Sequence, residues 1–60
     1  MVNAALAAYY AKERVRMLKV HLDNFREYLR TCTIPARRVW LEARISELRT
    51  ALFDRTDMWY

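Results

Sequence analysis

Three side chains in this sequence are suited to nucleophilic or metal chemistry: Cys32, His21 and Ser46, one of each type. A catalytic thiol needs a histidine within hydrogen-bond reach. On one helix, Cys32 and His21 stand about 16 Å apart by helical rise, so they form no pair within a protomer. Ser46 has no histidine on its own helix. A single thiol and a single imidazole do not complete a zinc site. The carboxylates of Glu13, Asp23, Glu27, Glu47, Asp54 and Asp57 fall on outer faces, which argues against paired acid–base work. Glycine is absent, so no phosphate-cradling loop exists. The expectation is a non-enzymatic protein with no catalytic residue, no metal and no cofactor.

The cations offer a different chemistry. The formal net charge is +4, and arginine supplies most of the positive side chains. Arginine suits bidentate contacts with phosphate or carboxylate, and it also suits protein interfaces. Lys12, Arg14, Lys19 and Arg26 flank the apolar seam of the first half of the chain, with His21 among them; Arg37, Arg44 and Arg49 flank that of the second half. Coiled-coil flanks usually carry opposite charges. Here like would meet like, so these seven cations are candidate phosphate contacts for RNA or DNA lying over the groove. The competing reading is a solvated face. Long cationic stems snorkel over apolar surface, and Lys19–Asp23, Glu27–Arg30, Arg38–Glu42 and Arg44–Glu47 are at helical pairing distance. No helix-turn-helix, zinc-finger, RNP or basic-zipper signature appears.

The elements that position these groups are two helices. Apolar residues make up 55% of the chain, too rich for a disordered tail, and proline occurs once. The break lies at "TCTIP", residues 31–35, where β-branched residues precede Pro35. Helices are expected at about residues 3–31 and 34–57, with Thr33 as N-cap of the second. Such a short connection joins antiparallel neighbours; one long kinked helix is the alternative. The first helix carries a heptad seam of Ala4, Ala8, Ala11, Val15, Leu18, Leu22, Phe25, Leu29 and Cys32, and the second a stripe of Ile34, Leu41, Ile45, Leu48, Leu52 and Trp59 interrupted by Arg38 and Arg55. Folding back about Cys32 would set Leu22 against Leu41, Leu18 against Ile45, Val15 against Leu48, Ala11 against Leu52 and Ala4 against Trp59. Arg38 would then stack on Phe25. The fold class is all-α: an antiparallel two-helix hairpin, with residues 1–60 as a single domain.

Sixty residues bury too little surface for robust stability alone, and one cysteine allows no internal disulfide. Oligomerisation or docking remains, giving a hairpin that is part of a helical bundle. Apolar side chains exceed what one seam per helix needs. Leu6, Tyr10, Met17, Val20, Val39, Trp40 and Phe53 lie off the main seams and are the candidate partner or oligomer interface. The expected function is therefore a structural or interaction protein that self-associates or docks in a larger protein assembly. The alternative is a small basic nucleic-acid-binding dimer acting as a regulator. The opening "AALAAYYA" lacks the basic residues that precede a secretory core and falls far short of a membrane span. An intracellular location follows, soluble or within an assembly, with mitochondrial and virion locations open. The same stretch is expected to offer Ala4, Ala8 and Ala11 as a groove for the chain's own "MWY" end.

Overall fold

The computed structural model describes residues 4–60 as two helices, α1 (Ala4–Thr31) and α2 (Pro35–Thr56), folded into an antiparallel hairpin 49 × 17 × 16 Å in extent. The expected start of α1 at residue 3 lies outside the described residues. The seams meet in their middle parts, while Ile34, expected on the α2 stripe, is 51% exposed, and Ala4, Ala8 and Ala11 of the α1 seam are exposed as well. Leu22, Leu41 and Leu52 are buried, while Val15, Leu18, Phe25, Leu29, Ile45 and Leu48 are half-buried beside them. No long kinked helix forms, because the three residues before Pro35 leave helical geometry altogether.

The break is built differently from the expected threonine cap. Ile34 is the N-cap residue, extended at φ −89°, ψ 114°, and Pro35 occupies the first helical turn. Proline there gives up an N–H that would have had no helical partner, and its ring favours the extended geometry at Ile34. Ile34 has no side chain able to cap, so α2 starts without a side-chain cap bond. Thr33 is exposed and makes no cap. Arg38 tightens the turn instead. Its Nη1 donates to the carbonyls of Leu29 (3.0 Å) and Cys32 (2.9 Å), satisfying acceptors that every helix C-terminus leaves over. Arg38 therefore does not stack on Phe25 as the seam register suggested. Nor does it pair with Glu42. The ring partner of Phe25 is Trp40, edge-on at 5.8 Å.

The two helices differ in length, with 28 residues in α1 and 22 in α2. At 1.5 Å per residue these are about 42 and 33 Å. The first turns of α1 accordingly project past the end of α2, and residues 4–12 are all exposed. The expected closure of this end by Trp59 against Ala4 does not occur. At Asp57 the backbone enters the left-handed region (φ 57°, ψ 21°), and its N–H closes on Phe53 O at 2.8 Å. Aspartate tolerates this conformation better than most residues. The Thr56 hydroxyl donates to Leu52 O (2.8 Å) and accepts from the Met58 N–H (3.2 Å), which holds the reversal. The last residues thus turn back towards the middle of the hairpin, away from the alanines.

Candidate protein-interaction surface

At about 100° per residue, side chains just off each seam fall on one of two flanks of an antiparallel pair. One flank carries Tyr10, Arg14, Met17, His21, Phe25 and Tyr28 from α1, and Arg37, Trp40 and Arg44 from α2. The other carries Lys12, Lys19 and Arg26 from α1, and Arg49 and Phe53 from α2. The observed contacts agree with this division. Trp40 meets Phe25 on the first flank, and the Tyr60 carbonyl meets both Arg26 and Arg49 on the second. The seven cations expected to line one groove are therefore split between two faces.

The first flank is open, and its part near the turn is mostly apolar. Near the turn it holds a groove of about 800 Å³, lined by Phe25, Tyr28, Cys32, Ile34, Trp40 and Leu41, with Arg37 also in its wall. Arg44 lies over the Trp40 ring at 5.6 Å and bridges to Glu47 at 3.1 Å, the pairing expected from spacing. Tyr28 is 64% exposed, Trp40 51%, Ile34 51% and Tyr10 62%, large apolar areas for a water-facing side of one molecule. Cys32 is half-buried in the groove wall and its thiol approaches Ile34 O at 3.7 Å, as a small packing residue does. His21 is exposed on the same flank. Among the described residues no cluster of histidine, cysteine and carboxylate groups is arranged to hold a metal.

The second flank is occupied by the chain's own end. Trp59 stacks on Phe53 with ring centroids 4.4 Å apart, and Arg49 lies over Trp59 at 5.3 Å. The Tyr60 carbonyl accepts hydrogen bonds from Arg26 Nη2 (2.6 Å) and Arg49 Nε (3.0 Å). The Lys19 ammonium sits 4.4 Å from the Tyr60 ring centre, and hydrogen bonding to Lys19 lowers the phenol pKa from its ordinary value. Three cations assigned to an external phosphate thus converge on a carbonyl and two aromatic rings of this chain. Lys19 faces Tyr60 here, where sequence spacing paired it with Asp23. Glu27–Arg30 forms as expected, and Glu13–Arg16 forms in addition.

The candidate interface residues do not form one patch. Tyr10, Met17 and Trp40 share the first flank, and Leu6 lies at its projecting end. Val20 and Val39 lie on the reverse sides of their helices, Val39 being 67% exposed. Phe53 is half-buried beneath Trp59. Tyr28 of the first flank was not among the expected interface residues, and Ile34, expected on the α2 seam, instead lines the open groove. Tyr28 continues the heptad stripe of Tyr10 and Met17, and that spacing was the signal; polar Asn24 between them hid it. No helix of the described residues is long and apolar enough to cross a membrane. The chain matches no known protein family, and no curated protein or solved structure shows significant similarity to it.

Proposed function

We propose that this chain is a non-enzymatic interaction protein, a helical hairpin that completes its fold by burying the Tyr10–Trp40 flank against protein. The observation that carries the reading is the imbalance between core and surface. Among the described residues only Leu22, Leu41 and Leu52 are buried, while Tyr10, Met17, Tyr28, Ile34 and Trp40 are all exposed. Tyrosine, tryptophan, methionine and arginine are the types enriched in interface cores, and this flank combines them. The phosphate reading draws less support. Lys19, Arg26, Arg44 and Arg49 already hold aromatic rings, the Tyr60 carbonyl or Glu47, which lowers the positive charge free for a nucleic acid.

Thermal and urea unfolding of the isolated chain, followed by circular dichroism beside sedimentation equilibrium, tests the reading. A chain that needs a protein partner unfolds at low temperature and with poor cooperativity whenever it is monomeric. A monomer that melts cooperatively at high temperature contradicts it.

A further inference from the structure

We infer that the protein covering the first flank is a second copy of this chain, packed antiparallel so that the projecting start of each α1 enters the groove beside the turn of the other. The inference rests on the reading above and names its partner.

The area argues for a partner of this size. The chain exposes 4980 Å² of accessible surface at a mass of 7.3 kDa. A folded monomer of that mass exposes about 4200 Å² by the usual scaling of surface with mass. The excess, about 800 Å², comes with the elongated 49 × 17 × 16 Å shape, and it is of the size that one partner contributes to a standard stable interface.

The pattern argues for this partner and this direction. Along α1 the first flank reads Tyr10, Arg14, Met17, His21, Asn24, Tyr28, with steps of four, three, four, three and four. That series is symmetric about residue 19. A two-fold axis at that level sets Tyr10 against Tyr28 of the second copy, Arg14 against Asn24 and Met17 against His21. A two-fold interface must be complementary to itself, and in the antiparallel sense this stripe sets ring against ring at Tyr10–Tyr28 and unlike side chains at Arg14–Asn24 and Met17–His21. A parallel pair would set Arg14 on Arg14 and His21 on His21, and would leave both grooves empty. The antiparallel pair brings together two parts of the first flank that stay exposed in the single hairpin. One is the α1 start around Leu6 and Tyr10, exposed because α2 ends short of it; the other is the groove of Phe25, Tyr28, Ile34 and Trp40. Tyr10 and Tyr28 are about 27 Å apart along one α1 by helical rise, so each end is reached by the copy and never by the chain itself.

Cysteine cross-linking reads the direction. In a Cys32→Ser background, Tyr10→Cys and Tyr28→Cys chains are oxidised separately and mixed, beside sedimentation equilibrium of the unaltered protein up to submillimolar concentration. The expected result is a dimer that forms a disulfide in the mixture and not in either chain alone. A Met17→Cys and His21→Cys mixture repeats the test near the axis should loss of a tyrosine weaken folding or pairing. Tyr28→Glu is expected to weaken dimerisation about 30-fold or more, as loss of an interface anchor does. Cross-links within the Tyr10→Cys chain alone overturn the antiparallel arrangement. A protein that stays monomeric throughout overturns the second copy as partner. If that monomer is also poorly folded, the broader interaction reading stands; if it melts cooperatively at high temperature, both fall.

Discussion

Arg38 is the side chain whose removal tests the hairpin most sharply. Its Nη1 binds the carbonyls of Leu29 and Cys32 at 3.0 and 2.9 Å from a half-buried position. It thereby ties the end of α1 to the first turn of α2. Hydrogen bonds from a charged donor contribute about 1.5–3 kcal/mol. The two bonds share one nitrogen, and Leu29 O keeps the Cys32 N–H at 3.3 Å as a second donor. The expected loss on Arg38→Met is therefore about 1.5–3 kcal/mol for the pair together, with the apolar stem still packed. For a domain of this size each kcal/mol moves Tm by about 4–8 °C, so the midpoint should fall by about 6–24 °C. Arg55→Met is the matched control. Its Nη1 reaches Ala51 O at 3.1 Å within its own helix and on the exposed side, and its loss should stay within about 0.5 kcal/mol. Thermal unfolding by circular dichroism at one fixed protein concentration reads both, since association would otherwise shift the midpoints. Equal midpoints for the two variants would refute the role assigned to Arg38.

Three further outcomes follow from the packing. Leu52→Ala removes a wholly buried side chain and should cost about 2–5 kcal/mol; Val39→Ala, on an exposed site, should stay within about 0.5 kcal/mol by the same unfolding measurement. In a Trp40→Phe background, Ala8→Leu should leave Trp59 fluorescence unchanged, because the tail lies on Phe53, whereas Phe53→Ala should change it. An ultraviolet pH titration should show Tyr60 ionising below the ordinary tyrosine value, assigned by the loss of that transition in Tyr60→Phe and returned to the ordinary range by Lys19→Gln. The sign follows from the lowered phenol pKa. The folded state favours the phenolate, so the Lys19–Tyr60 contact strengthens the fold above the ordinary tyrosine pKa and loses that gain as pH falls through the lowered value.

The architecture was legible because it rests on periodicity. Apolar residues spaced alternately four and three residues apart define α1, and the β-branched run before Pro35 marks the turn; both are local. What the spacing could not show depends on the path of the chain in space. Arg38 interrupts the α2 stripe, and only the geometry of the turn reveals that its guanidinium serves the carbonyls of another helix. The tail reversal had no glycine to announce it; Asp57 takes the left-handed conformation with help from the Thr56 hydroxyl. Because the tail turns back, Ala4, Ala8 and Ala11 are exposed rather than covered, and Lys19, Arg26 and Arg49 are engaged rather than free. The interface candidates are apolar residues off the main seams, a position that spacing within one helix defines. Their division between the two flanks and the reverse sides depends on the phase of both helices together with the contacts of Phe25 and Tyr60.

The central claim is that this hairpin completes itself on protein through the Tyr10–Trp40 flank. Sedimentation equilibrium from micromolar to submillimolar concentration, with thermal unfolding on the same samples, tests it most directly. The account predicts a monomer–dimer equilibrium in which Tm rises with protein concentration, and in which Tyr28→Glu abolishes the rise while helicity is retained. A monomer at every concentration, with a high and concentration-independent Tm, would contradict it.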